Sequence, residues 1–250
     1  MIDIHTHVLP EMDDGAKNRT ESAEILQMLV AQGVKELVFT PHYYGKKRPL
    51  EQFLLQREEA RQKLAEVLPE GVKTRLGAEV HMTGVNDPPD EALCSLAIEN
   101  SKCVLVEFPF TGKWQKSLLD RLEAFITDTG YTPIVAHIER YEAVRKNPSL
   151  ISDFVKIGCL IQINTSALLD RHSRQFAYAL LRRGLVHCLG TDTHDSKERM
   201  PDYEAAKAAV VAAGYGSEWE RVQSYMRKIL AGDSLRITYE PVRKIFGRYV

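Results

Sequence analysis

Short apolar runs alternate with longer amphipathic segments along most of the chain. Seven runs have the length and apolar content of strands buried on both faces: residues 2–5, 36–40, 74–79, 103–108, 133–138, 160–164 and 186–190. Helical periodicity occurs near residues 20–32, 50–68, 115–129, 148–157, 173–184, 202–213 and 217–230. This alternation predicts parallel β/α units, arranged as an open sheet or as a barrel. Because no repeat or linker interrupts the pattern, we expect one domain over residues 1–250.

Polar side chains follow the strands at the points where they end. Six of the seven runs terminate in the following residues: His5, His7, His42, Glu79, Glu107, His137, Asp192 and His194. The carboxyl ends of parallel strands meet at one rim, so we expect these side chains to lie close together. His5 and His7 are two residues apart and should point to the same side, as should Asp192 and His194. The pattern predicts a site for several metal ions, and mixed imidazole and carboxylate ligands favour Mn²⁺, Fe²⁺ or Zn²⁺ over Ca²⁺.

Composition narrows the class of protein. The 250 residues are 44% hydrophobic and 27% charged, as in a typical soluble enzyme. The formal net charge is −1 without a concentrated basic run, which argues against a nucleic-acid partner. The sequence contains neither an apolar stretch near the ~20 residues of a transmembrane segment nor a secretion signal. Its four scattered cysteines suit reduced thiols, so we expect a cytoplasmic protein.

The polar motifs also resemble a known family. In chain order they read MIDIHTH from Met1, DDG from Asp13, TPH from Thr40, GAE from Gly77, EF from Glu107, HIER from His137 and DTH from Asp192. Together they resemble the polymerase-and-histidinol-phosphatase (PHP) superfamily, and most closely the bacterial tyrosine phosphatases of capsule and exopolysaccharide systems. The resemblance extends from Met1 to at least Pro201. It implies a distorted seven-stranded β/α (TIM-like) barrel with three divalent metal ions.

The resemblance also implies a ligand set for each ion. His5, His7, Glu79 and Asp192 would hold the first ion. Glu79 would bridge to the second, which Glu107 and His137 also bind, and Asp14, His42 and His194 would hold the third. Mn²⁺ is the expected metal, with Fe²⁺, Zn²⁺ or Mg²⁺ as alternatives.

Two arginines are the predicted phosphate-binding and catalytic side chains. Arg140 and Arg199 match positions of phosphate-contacting arginines in the resembling phosphatases, and a guanidinium group matches phosphate oxygens in bidentate geometry. The alternative is an ordinary ion pair, of Arg140 with Glu139 or of Arg199 with Asp195.

The function implied is that of a metal-dependent protein-tyrosine phosphatase. Its substrate would be a bacterial tyrosine kinase that controls polysaccharide export. A cysteine nucleophile is excluded, because such phosphatases need Arg six residues after Cys, whereas Asn100, Pro109, Thr165 and His194 occupy those positions. A metal-bound hydroxide is therefore the expected nucleophile. The alternatives are a small-molecule phosphatase acting on histidinol phosphate, an amidohydrolase, a nuclease, and a binding protein with structural ions.

Four features outside the motifs carry weaker predictions. His187 is out of step with Asp192 and should belong to the core, whereas His81 follows Glu79 by two and can reach the rim. Residues 43–48 are a basic, aromatic lip or a solvated loop. Residues 242–248 are a tail that packs normally or docks on a partner or an anionic membrane.

Overall fold

The strands form two parallel ladders in a computed structural model that describes residues 1–83, 87–110, 114 and 116–249. Their bounds are β1 (Ile2–Thr6), β2 (Glu36–Phe39), β3 (His42–Tyr43), β4 (Lys73–Leu76), β5 (Glu79–His81), β6 (Cys103–Glu107), β7 (Thr132–Val135), β8 (Leu160–Asn164) and β9 (Cys188–Gly190). The first ladder is β1-β2-β4 and the second is β3-β5-β6-β7-β8-β9. A parallel bridge between Thr6 and Thr193 brings the end of β9 beside β1. The sheet therefore curls round on itself, and the predicted β/α barrel class is confirmed.

The structure differs from the prediction at two of the strands. The predicted strand 36–40 corresponds to β2, with the unpredicted β3 directly beyond it, and the predicted strand 74–79 is divided between β4 and the start of β5. Pro41 has no N–H to give to a ladder, which explains an interruption at this point. The register does not change across the break, since Phe39 lies opposite Leu76 and His42 lies opposite Glu79. The break therefore leaves His42 and Glu79 side by side at the rim.

The helices cover the outside of the curled sheet. Within the described ranges they are α1 (Arg19–Ala31), α2 (Leu50–Ala65), α3 (Leu93–Leu96), α4 (Lys116–Thr129), α5 (Glu142–Lys146), α6 (Ser149–Lys156), α7 (Arg174–Arg182), α8 (Tyr203–Ala212) and α9 (Gly216–Ala231). All seven predicted helices are present, and the short α3 and α5 lie outside those seven segments. Helix α1 begins where the Asn18 side chain accepts a hydrogen bond from the Glu21 N–H, an ordinary N-cap. Helix α9 buries Trp219 and Met226 against β1 and β9.

The C-terminal segment ends in a short antiparallel hairpin. Its strands are β10 (Lys244–Ile245) and β11 (Arg248–Tyr249). The Tyr249 ring packs 4.7 Å from the ring of Phe176 on α7, whereas Phe246 at the hairpin tip is fully exposed. No helix in the described ranges is both long and apolar enough to cross a membrane.

His187 is a core residue, as its position predicted. Its side chain is fully buried, and Nδ1 accepts a hydrogen bond of 2.9 Å from the Ile161 N–H. Burial lowers the pKa of His187 to about 3. Between about pH 3 and pH 6.5, therefore, the folded protein keeps this imidazole neutral, whereas an unfolded chain would protonate it.

We expect His187 to make the metal-free protein less stable as the pH falls below about 6.5. The unfolded chain binds a proton at His187 below pH ~6.5, whereas the folded chain binds one only below pH ~3. Protonation therefore favours the unfolded state, and the free energy of unfolding should fall by about 2 kcal/mol between pH 7 and pH 5. His187→Asn keeps an acceptor for Ile161 but does not titrate. The free energy of unfolding is measured in urea at each pH, with a chelator present, for the parent and for His187→Asn. The parent should lose more of it between pH 7 and pH 5 than the variant does. Equal losses in the two proteins would contradict the prediction.

Candidate metal centre

The predicted ligands of the first ion converge at the rim. His5 Nε2 lies 3.1 Å from His7 Nε2, 3.2 Å from Glu79 Oε2 and 3.5 Å from Asp192 Oδ1. His7 Nε2 lies 3.3 Å and 3.5 Å from the same two oxygens. All four side chains are almost completely buried. With metal–ligand bonds of about 2.1 Å, the donors of a tetrahedral or octahedral shell are roughly 3.0–3.4 Å apart, so this spacing fits a divalent cation.

The two oxygens of Glu79 face different groups of donors. Oε2 faces His5 and His7 and also lies 3.0 Å from His42 Nδ1, whereas Oε1 lies 2.8 Å from His137 Nε2. His137 Nε2 is in turn 3.4 Å from Glu107 Oε1. The carboxylate of Glu79 thus stands between two sets of ligands, as the predicted bridge requires.

The third predicted set lies on the outer side of the cluster. Asp14 Oδ1 is 3.4 Å from His42 Nε2 and 3.5 Å from His194 Nε2. The geometry adds His7 to this set, because its ring also lies within reach of the same point. A further group of neighbouring donors consists of His42, Glu79 and Glu107. In the second ligand set implied by the resemblance, His137 takes the place that His42 has in this group. The nine predicted ligands therefore lie close together, but the groups of neighbouring donor atoms differ from the implied ligand sets in these two details.

The buried carboxylates and imidazoles of the cluster shift one another's pKa values. Burial alone would raise the pKa of Glu79, but His5, His137 and His7 hold it well below its usual range. Burial alone would lower the pKa of His137, but Glu107 and Glu79 outweigh it and raise the pKa to about 10. Ionised carboxylates buried this deeply need positive charge beside them. Divalent cations would supply that charge in place of the imidazole protons.

The backbone is unusual at two of the predicted ligands. His137 and Asp192 have φ angles of 32° and 53°, in the left-handed region that residues other than glycine rarely adopt. Each lies two residues beyond the end of a strand, in the turn at the rim where the predicted ligands meet. Such conformations cost on the order of 1 kcal/mol or more each and concentrate at functional sites.

Residues outside the predicted ligand set hold the ligands in place. Asp13 Oδ2 lies 2.7 Å from His7 Nδ1 and accepts a 2.8 Å bond from the His42 N–H. Gln162 Oε1 accepts a bond from the His137 N–H and lies 3.3 Å from His5 Nδ1. Asn164 donates a 2.9 Å bond to Asp192 Oδ2. Such partners fix the orientation of ligand rings and carboxylates.

Both predicted phosphate-binding arginines reach the cluster. Arg199 Nη2 lies 2.8 Å and Arg140 Nη1 3.2 Å from Asp192 Oδ2, so neither pairs with the carboxylate that the alternative had proposed. Their side chains are 40% and 42% exposed, which leaves donors free towards solvent. The Arg140 guanidinium also lies 4.4 Å from the centre of the Phe110 ring. The arginines line one side of an open pocket of about 340 Å³ that ends on Asp192.

A second opening lies on the side of Asp14. Tyr44 packs its ring 5.3 Å from the ring of His42 and 5.1 Å from that of His81. Lys47 sits 4.5 Å above the Tyr44 ring, and both border a pocket of about 360 Å³ that reaches Asp14. His81 Nδ1 is 3.0 Å from Glu107 Oε2, so this histidine does reach the rim.

Comparisons with known protein sequences identify the family. A family model for capsular polysaccharide synthesis, CpsB/CapC, matches residues 1–236. The tyrosine-protein phosphatase YwqE of Bacillus subtilis is 30% identical over 259 residues, covering 99% of each chain. The tyrosine-protein phosphatase CpsB of Streptococcus agalactiae serotype V is 30% identical over 227 residues, covering 87% of this chain and 92% of its own.

Fold comparison agrees with this result. A crystal structure from work on YwqE of Bacillus subtilis and CpsB of Streptococcus pneumoniae, which describes them as metal-dependent tyrosine phosphatases, matches with a TM-score of 0.82 at 24% identity. The match covers 98% of this chain and 100% of that chain. The resemblance seen in the motifs is thus confirmed, and the chain belongs to the CpsB/CapC family of capsular polysaccharide synthesis.

Proposed function

We propose that this chain is a metal-dependent protein-tyrosine phosphatase with His5, His7, Asp14, His42, Glu79, Glu107, His137, Asp192 and His194 as its metal ligands. The observation that carries the proposal is the position of Glu79, whose two oxygens face two groups of buried donors at the end of the barrel. Three ions, preferably Mn²⁺, suit the nine ligands. Bound there, divalent ions lower the pKa of water and polarise a phosphoryl oxygen.

The chain's own residues would bind and orient the phosphate. Arg140 and Arg199 both pair with Asp192 Oδ2, are about 40% exposed and line the same pocket, so the N–H groups that Asp192 does not use are available to a phosphate. A guanidinium group matches two phosphate oxygens at once. Positive charge placed here before the reaction stabilises the negative charge that the transition state carries.

Aromatic side chains at both openings suit an aryl phosphate. Phe110 lies beside Arg140 on one side, and Tyr44 lies beside His42 on the other. The relatives named above are tyrosine-protein phosphatases, which supports the same substrate class. We propose a phosphotyrosine protein as the partner, specifically a bacterial tyrosine kinase of polysaccharide export. All four cysteines are free thiols, in keeping with the proposed cytoplasmic location.

Cysteine chemistry does not compete with this mechanism. Cys103, Cys159 and Cys188 are buried, and burial raises the pKa of each thiol, to about 11 for Cys103 and about 12 for Cys159. A thiol is nucleophilic as the thiolate, which these pKa values disfavour. Cys94 is exposed, and Asn100 stands where a cysteine phosphatase needs arginine.

Removal of metal should abolish the activity. After chelation, with loss of metal verified by elemental analysis, hydrolysis of a phosphotyrosine peptide should fall to the level of a blank, and Mn²⁺ should restore it. Histidinol phosphate serves as the control substrate and should be hydrolysed at least about tenfold less efficiently. Full activity of the metal-free protein would overturn the mechanism, and a preference for histidinol phosphate would overturn the substrate class.

A further inference from the structure

A large pocket lined by arginine lies away from the metal cluster. A groove of about 940 Å³ runs between α7 and α8, with Arg171, Arg174 and Arg182 along one side. We call it the arginine groove. In the described ranges, none of these three side chains forms an ion pair with a carboxylate. The groove therefore presents uncompensated positive charge.

Aromatic rings complete the walls of the groove. Tyr178 of α7 and Tyr215 face each other with ring centres 5.6 Å apart, and Tyr249 of the C-terminal hairpin also lines the groove. The rest of the lining consists of Leu168, Leu169, Gln175 and several alanines of α7 and α8, and at the alanines a planar group can approach the backbone closely. Guanidinium beside aromatic rings is suited to a ligand that is both aromatic and anionic.

The groove begins where the predicted active site ends. The 3₁₀ turn Thr165–Leu168 and the residues after it lie between the two. Ser166, Asp170 and Ser173 of this segment line the pocket that contains Arg140 and Arg199, whereas Arg171 and Arg174 line the arginine groove. A single extended peptide that crosses this segment can therefore occupy both pockets.

We propose that the arginine groove binds a second phosphotyrosine of the polypeptide whose first phosphotyrosine is at the metal cluster. The inference rests on the proposed phosphatase function. The groove would thus act on the affinity for multiply phosphorylated substrates, and it would leave the chemical step unchanged. A small aryl phosphate, which fills the cluster alone, does not use it.

Charge reversal on α7 tests the proposal. The groove variant is Arg174→Glu/Arg182→Glu. The matched control is Arg227→Glu/Lys228→Glu, which makes the same charge change at exposed positions of α9 outside the groove. The substrates are p-nitrophenyl phosphate, a peptide with one phosphotyrosine, and the same peptide with a non-hydrolysable phosphonate analogue of phosphotyrosine added three to eight residues away on either side.

For the parent protein and the control, we expect the added phosphonate to lower KM by about tenfold at its best spacing. The groove variant should lose this advantage, while its kcat/KM for p-nitrophenyl phosphate stays within twofold of the parent value. The proposal is wrong if no spacing lowers KM in the parent, if the groove variant keeps the advantage, or if the control loses it equally. Absence of p-nitrophenyl phosphate hydrolysis by the metal-loaded parent would instead count against the phosphatase function itself.

Discussion

Glu79→Gln is expected to lower kcat/KM for a phosphotyrosine peptide by about 10³-fold or more without unfolding the chain. The amide has the shape of the carboxylate, so the packing around this buried side chain should persist. It removes a negative charge, however, and replaces one of two oxygens that face imidazole nitrogens at 2.8–3.3 Å with an NH₂ group. Loss of a bridging ligand should cost several kcal/mol of transition-state stabilisation, and each 1.36 kcal/mol is about tenfold in rate.

The same substitution can be placed at the opposite end of the sheet as a control. Glu36 is the first residue of β2, and its carboxylate pairs with Arg75. Glu36→Gln should leave both the rate and the metal content unchanged, whereas Glu79→Gln should lose at least one ion per chain by elemental analysis. A metal-replete, fully active Glu79→Gln protein would refute the bridging role.

Arg199→Ala is expected to lower kcat/KM by ~10²–10³-fold, roughly the effect of removing one transition-state donor. The side chain touches Asp192, and its loss leaves that carboxylate paired with Arg140. The loop itself should survive, because the backbone carbonyl of Arg199 accepts bonds from the His194 N–H and the Thr193 hydroxyl. Metal content should be unchanged, since guanidinium is not a ligand.

Two further variants make the Arg199 experiment specific. Arg199→Lys should recover little activity, because an ammonium group cannot make the paired contact. Lys197→Ala removes an exposed cation from the same loop and should have an effect of less than about twofold. Near-normal turnover of the phosphotyrosine peptide by Arg199→Ala would show that this arginine is only a surface charge.

The sequence was sufficient for the class of fold and for the prediction that the candidate ligands lie together at one rim. Parallel strands buried on both faces are nearly continuous apolar runs, and ligands at their carboxyl ends stand out against that background. The breaks at Pro41 and Gly77–Ala78 were not predicted, because apolar content alone does not reveal where a ladder is interrupted. One missed signal was available: Gln162 and Asn164 are two apart on the strand that lacked a terminal His, Asp or Glu, so they face the same side.

Other features depend on contacts between distant parts of the chain. Arg140 and Arg199 each have a carboxylate nearby in sequence, yet both pair with Asp192. Asp192 itself lies in a turn and has a positive φ angle, which the sequence pattern did not predict. The arginine groove requires α7, α8 and the C-terminal hairpin to meet, and no spacing within one segment encodes that arrangement. Helix periodicity could place the arginines on α7 but could not show what lies opposite them.

The seam between β1 and β9 has a consequence for how the protein folds. Asp3 and Thr191 are bonded there although they lie 188 positions apart, and a Cβ on Gly190 would meet that of His5 at 2.4 Å. Closing a loop of this length costs about 4–5 kcal/mol of chain entropy, and contacts so distant in sequence slow folding. His5, His7 and Asp192 span this seam, so an ion bound to them would fasten β1 to the turn after β9. Part of the metal's binding free energy would then be folding free energy, and the site can be completed only after the chain has been synthesised as far as His194.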